Sequence, residues 1–351
     1  MVKDLCFEII ETCLNNCKFC SSNSNCNKTQ MIEFKDFKRV IDYFMSNGGI
    51  EELSLSGGEP FLHPDILKMI TYSKSLGIRT VVFTSGLKYN NPLTNREIDS
   101  ILKERELALK TIKQQEPDNT FLINKVKKHF DNFLKRSLVS GMDLEFFMEL
   151  KKIGLDKIVF DYQAHDYKVD NYIMGRNEIY RQAFLYSFAN ASFSGLEVDC
   201  HFIPMKPNYK EIPDILENLS ILEITNISIL NFVPQGRGRY NKENLLLSQD
   251  ELIEFFDILN SSKSSYYGNI RIGIPLQGED IHKCTAGLQK LDIRFDGVIL
   301  PCPAFKELTT EECVKYKIKL PNIYDSLETV KIKGYGTRVK PLCKQIYGNK
   351  E

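Results

Sequence analysis

No apolar run in this 351-residue chain approaches the ~18 consecutive residues of a membrane-spanning helix, and the start, "MVKDLCFEII", lacks the apolar stretch of a signal peptide. The expected location is therefore the cytoplasm. Charge of one sign is not in excess either. Lys+Arg and Asp+Glu are both 46, so no global grip on nucleic acid or on an anionic membrane is implied. Solenoid repeats and low-complexity tracts are absent. Cysteine is nearly absent from the middle of the chain, where Cys200 stands alone between Cys26 and Cys284. Disulfides are not expected in a reducing compartment, so cysteines gathered at the two ends point to metal or redox chemistry.

Hydrophobic residues, 42% of the chain, are enough for a sizeable core. They are arranged as short β-like runs alternating with amphipathic helical patterns. "LCFEIIE", "ELSLSGGEP", "RTVVFTSG", "DKIVFDYQ", "LEVDCHFIPM", "ISILNFVPQG" and "IRIGIP" read as strands, and glycine-closed patterns such as "DILKMITYSKSLG" read as helices between them. Such alternation implies a parallel sheet covered by helices. The expected fold is α/β, a partial (β/α)6 TIM-like barrel over residues 1–275. A charged, helical insertion interrupts it at 87–138, and a small cysteine-rich α+β module follows at 276–351. In barrels of this kind the chemistry sits on loops after the strands, and each unusual motif here follows a strand candidate.

The first such motif is "CLNNCKFC", in which Cys13, Cys17 and Cys20 have the spacing C-x3-C-x2-C. Three thiolates can hold three irons of a [4Fe–4S] cluster and leave the fourth iron open. Zinc with Cys26 as fourth ligand is the competing reading, although the spacing fits it poorly. With Phe19 before the third cysteine and "GGEP" (Gly57–Pro60) after the second strand, the pair of motifs resembles the signature of the radical S-adenosylmethionine (SAM) superfamily. The resemblance implies that Cys13, Cys17 and Cys20 ligate a cluster whose open iron binds SAM. SAM would then be cleaved reductively to a 5′-deoxyadenosyl radical that abstracts a substrate hydrogen.

The same resemblance implies a SAM site built from Phe19, Gly57, Gly58, Glu59, Pro60, Thr84, Ser85, Asp161, Gln163, Arg176 and Gly236. "FTSG" stands where relatives carry Thr-Asn-Gly, and "FDYQ" where they carry a serine near the ribose. Arg237, beside Gly236 in "NFVPQGRG", has two readings, an anion ligand or a structural ion pair. No catalytic side chain is singled out.

At the other end, "CTAGLQKLDIRFDGVILPC" reads as a hairpin that brings Cys284 and Cys302 together, and it resembles the opening of SPASM and twitch auxiliary-cluster modules. With Cys313 and Cys343 it implies a second [4Fe–4S] cluster, zinc being the alternative. Cys6, Cys26 and Cys200 are read as structural thiols. The expected substrate is a peptide or protein, the alternative a small molecule oxidised by a dehydrogenase. An electron donor such as flavodoxin or ferredoxin is implied. Neither membrane nor nucleic acid is expected as a partner. The first strand begins close to residue 1, so a ribosomal peptide is expected to be recognised by another protein or surface. The missing C-x2-C-x13-C pattern speaks against a molybdopterin-precursor cyclase. The reading from a different class is a non-catalytic zinc-binding scaffold.

Overall fold

The computed structural model describes residues 2–90, 93–136, 138–273, 276, 285–308, 310–316, 320–325 and 327. All seven apolar runs are strands: β1 (Asp4–Ile10), β2 (Glu52–Gly57), β3 (Arg79–Thr84), β6 (Lys157–Asp161), β7 (Glu197–Phe202), β8 (Asn226–Ile229) and β9 (Asn269–Ile272). They pair in parallel in chain order. A two-stranded ribbon, β4 (Lys88–Tyr89) with β5 (Val139–Ser140), stands beside them.

The helices that return the chain between parallel strands are α1 (Phe34–Ser46), α2 (Ile66–Ser75), α5 (Leu144–Lys152), α7 (Glu178–Phe193), α8 (Ile212–Ile221) and α11 (Gln249–Ser262). The six strand–helix units expected from the sequence are therefore present, followed by a seventh strand. Alternation sets the two faces of each strand. Leu5, Phe7 and Ile9 face the helices, and Phe7 meets Phe37 of α1 at 5.4 Å between ring centroids. Phe160 of β6 lies 5.1 Å from Phe188 of α7. Burying each such ring contributes about 1.5–3 kcal/mol. The inner face carries Cys6 and Glu8 of β1, Phe83 of β3, Asp161 of β6 and His201 of β7.

The insertion is an antiparallel pair of helices, α3 (Asn95–Gln115) and α4 (Thr120–Arg136), carried on the β4–β5 ribbon. Thr94 caps α3 with a reciprocal box to Glu97. No residue of α3 is buried, so this pair adds little to the barrel core. Three further helices lie where the sequence predicts no helix: α6 (Tyr167–Met174), α9 (Arg237–Tyr240) and α10 (Lys242–Leu245). Asp166 caps α6 by accepting from the Lys168 and Val169 amides, and Gly175 closes it in the left-handed region. Those two residues were the available signal.

The hairpin expected near the C-terminal cysteines is present as β10 (Lys290–Ile293) and β11 (Ile299–Leu300), antiparallel about the turn at Gly297. Its place differs from the expectation of a separate module. β10 pairs in parallel with β1, so the hairpin extends the barrel sheet at its first edge. A short helix, α12 (Thr310–Tyr316), follows. Among the described residues no helix is long and apolar enough to cross a membrane.

Candidate active site

The cysteine loop leaves the carboxyl end of β1 and is held on two sides. Glu11 and Cys13 amides donate to the Gln30 and Asn25 carbonyls at 2.8 and 3.2 Å. Asn16 and Lys18 amides donate to the Met174 and Ile173 carbonyls at the end of α6. Phe19 packs with Ile173, Met174, Met205 and Phe232 in a small apolar cluster under the loop.

The "GGEP" turn abuts the same stretch. The Gly58 amide donates to the Ile10 carbonyl at 2.7 Å and the Glu59 amide to the Thr12 carbonyl at 2.8 Å. A Cβ on Gly57 would lie 2.3 Å from the Ile10 oxygen, and one on Gly58 would lie 2.1 Å from the Thr12 oxygen. Both glycines are therefore required by the backbone of β1 and of the cysteine loop, whatever binds beyond them.

Glu59 is fully buried and accepts four groups of donors. These are the Ser85 amide (2.6 Å), the Ser85 hydroxyl (2.5 Å), the Thr84 hydroxyl (2.8 and 2.9 Å) and the Phe61 amide (3.1 Å). Burial pushes its carboxyl up to about 6, although those bonds oppose the rise. The hydroxyls of Thr84 and Ser85, read as site-lining, are thus committed to Glu59. Pro60 opens the following turn and is buried.

Arg176 is also fully buried. Its Nη1 pairs with Asp170 at 3.3 Å, its Nη2 donates to the Ser85 carbonyl at 3.2 Å, and its guanidinium lies 3.8 Å from the Phe184 ring centroid. Gln163 spends both ends of its amide on the backbone, donating to the His201 carbonyl and accepting from the Ile203 amide. Asp161 faces the lumen, with its carboxyl pushed up to about 6 by burial, against Arg176 and Lys306. Gly236 has φ +50°, and its Cβ position lies 2.5 Å from the Cys20 carbonyl, so this loop seals against the cysteine loop. Arg237 donates to the Cys17 carbonyl (2.8 Å) and to Asn23 Oδ1 (3.3 Å), which is a bracing role.

Two site-facing residues were not found from the sequence. His201 is the cross-strand partner of Asp161 and lies 5.2 Å from the Phe83 ring. Burial, then Arg271, Lys157 and Lys290, push its imidazole down to about 3, so it is neutral. Lys306 comes from the turn after β11, donates to Glu8 Oε1 at 2.6 Å and contacts the Ser22 hydroxyl at 3.2 Å. Burial opposes its charge, yet Glu8 and Asp292 hold it well above the usual lysine range. Both belong to the inner face, which only the paired strands define.

The three thiols fit an iron–sulfur cluster. Burial, then Cys17 and Glu59, raise the Cys13 thiol; burial, then Cys20, push Cys17 up to about 12. Buried thiols raised by each other stay protonated until a cation compensates them, and thiolate is the ligand form. The cysteine loop and the segment after α6 also carry buried polar groups without partners, namely the Asn15 amide, the Ser24 hydroxyl and Arg176 Nε. Among the described residues, no three His, Cys, Asp or Glu side chains converge tightly enough for one metal ion. A four-iron cube is wider than one ion. Cys26 is exposed. Cys284 and Cys343 lie outside the described residues. Cys302 and Cys313 are both half-buried, the first in the turn before Lys306 and the second on α12.

Residues 7–137 match the model of the Radical SAM superfamily. The chain carries a radical SAM superfamily domain. The superfamily is one of enzymes and implies a [4Fe–4S] cluster and SAM. A probable GTP 3′,8-cyclase of Sulfurisphaera tokodaii is 24% identical over 193 residues, 46% of this chain and 60% of the cyclase. This chain thus spans less than two thirds of that relative. Streptococcus suis SuiB bound to SAM superposes with TM-score 0.62 at 16% identity, over 99% of this chain and 68% of that one. SuiB bound to its precursor peptide SuiA gives 0.60 at 15% identity, over 99% and 65%. The enzyme anSMEcpe with bound AdoMet gives 0.55 at 11% identity, over 97% and 85%. At these identities the likeness is one of fold.

Proposed function

We propose that this radical SAM domain runs hydrogen-atom abstraction on a peptide or protein, with Cys13, Cys17 and Cys20 holding the cluster. The observation that carries the reading is the join between the cysteine loop and the "GGEP" turn at the carboxyl end of the parallel strands, through the Gly58–Ile10 and Glu59–Thr12 bonds. Bound there, cluster and SAM supply one-electron chemistry that ends in removal of a substrate hydrogen.

The chain's own groups do the positioning. Glu59 fixes the loops after β2 and β3 against each other, and Arg237 and Asn241 tie the loop after β8 to the carbonyls of Cys17 and Lys18. Phe19, Gly57, Gly58, Pro60 and Gly236 shape the cradle for SAM. Arg176, countered by Asp170, supplies positive charge beside Cys17. Below them the lumen presents Phe83, Asp161 and His201 to substrate. A peptide substrate is favoured because SuiB and anSMEcpe, whose folds span nearly all of this chain, are seen with a precursor peptide and with a peptide named Cp18Cys. A cytoplasmic setting and a flavodoxin or ferredoxin as reductant complete the reading. A second cluster on Cys284, Cys302, Cys313 and Cys343 belongs to the same proposal.

Anaerobic reconstitution tests it. With one cluster the chain binds about four irons, and with two about eight. Added SAM and dithionite yield 5′-deoxyadenosine, and the triple change Cys13→Ala, Cys17→Ala, Cys20→Ala abolishes both this product and four of the irons. A colourless chain that binds zinc and leaves SAM intact would favour the scaffold instead.

A further inference from the structure

Asn15 lies between the first two cysteines of the loop and is 1% exposed, yet neither its Nδ2 nor its Oδ1 meets a partner in the protein. Its own backbone N–H is directed at the Cys13 thiol, so the residue sits against the first thiol. Most of the loop's other polar side chains are used locally, the Ser24 hydroxyl excepted. Thr12 donates to the Lys28 carbonyl, Ser22 to Glu8, and Asn25 to the Asn23 carbonyl. A buried carboxamide with all its hydrogen-bonding capacity unspent is destabilising, and a leucine of similar size would pack better. The amide therefore has a use for a group that is not part of the polypeptide. A cluster held by Cys13 and Cys17, which flank Asn15 in the chain, is such a group.

We propose that the Asn15 side chain donates an N–H hydrogen bond to a sulfur of the cluster held by Cys13, Cys17 and Cys20, and so raises its reduction potential. The inference rests on the cluster reading of those cysteines. A donor aimed at sulfur stabilises the more negative, reduced cluster, and hydrogen bonds to sulfur are among the determinants of such potentials. Asn15 is a positioning residue in this scheme, acting on the cofactor's electron affinity and not on substrate.

The test is a redox titration of the full chain, reconstituted anaerobically with iron and sulfide and followed by electron paramagnetic resonance without SAM. Asn15→Leu is expected to bind the same iron, to give a midpoint potential more negative than wild type by more than the replicate scatter, and to shift the g-values of the reduced cluster. Asn15→Ser, which keeps one donor, is expected to fall between the two. Without iron, Asn15→Leu is expected to melt at or above the wild-type temperature, since it removes an unpaired amide. Should Asn15→Leu lose the cluster, Asn15→Ala is read the same way. A wild-type potential in the donor-free variant overturns this inference alone. A wild-type chain that takes up no cluster overturns the cluster reading and this inference together.

Discussion

Glu59 and His201 show how burial sets the chemistry of single groups. Glu59 gathers donors from Thr84, Ser85 and Phe61, so Glu59→Gln would turn an amide N–H toward donors that have no other acceptor. A loss of about 1–3 kcal/mol is expected, read from urea unfolding. His201 is the reverse case, a base whose proton has been driven off. Its folded value of about 3 lies below the usual imidazole value, so the unfolded chain binds the proton more readily. The neutral form's contribution is complete above about pH 6.5 and is lost as pH falls toward 3. Imidazole NMR signals of His201 are expected to remain those of the neutral ring down to pH 5, and His201→Gln should flatten the decline of stability below pH 6.5. A ring that titrates near 6.5 would contradict this.

At the scale of elements, the motif-bearing strands were legible because alternation and strand-ending glycines are local signals. Helix α6 was not, since its eight residues carry tyrosines and charges with no clear stripe, and only its caps at Asp166 and Gly175 mark it. The insertion's helical nature was readable, but its independence was not. α3 packs on α4 and buries nothing of its own. Tyr89 pairs with Val139 across the ribbon, so the chain ends that enter and leave the insertion already stand side by side. Replacing residues 91–137 by a short Gly-Ser turn is therefore expected to leave the barrel folded, with far-UV circular dichroism falling by the helix content of α3 and α4 and the melting temperature moving by only a few degrees.

At the scale of the molecule, the hairpin after residue 285 is bound to the barrel by more than the β1–β10 pairing. Lys306 reaches Glu8 and Ser22, and Gln235 of the loop after β8 accepts from the Glu307 amide and donates to the Ala304 carbonyl. Glu8 is wholly buried, so removing its cation strands a charge. Lys306→Met is expected to cost about 3–5 kcal/mol and to loosen the cysteine loop through Ser22. Hydrogen exchange at residues 20–24 should rise in that variant. Glu8→Gln combined with Lys306→Met should recover much of the stability, and an additive loss in the double variant would show that the two do not act as a pair.

The sequence by itself determined the periodicities that make seven parallel strands, and it determined the thiol spacing and the "GGEP" turn. Those are local properties, written in residues a few positions apart. Only the tertiary structure decided which polar groups share a wall. Asp161 and His201 are forty residues apart in the chain and meet because β6 and β7 pair in register. Glu8 and Lys306 meet because β10 joins β1. Thr84 and Ser85 have the composition of site-lining hydroxyls, but the fold turns them toward Glu59. The physical reason is common to all three. Strand pairing sets which polar groups lie side by side, and separation along the chain carries no information about that distance.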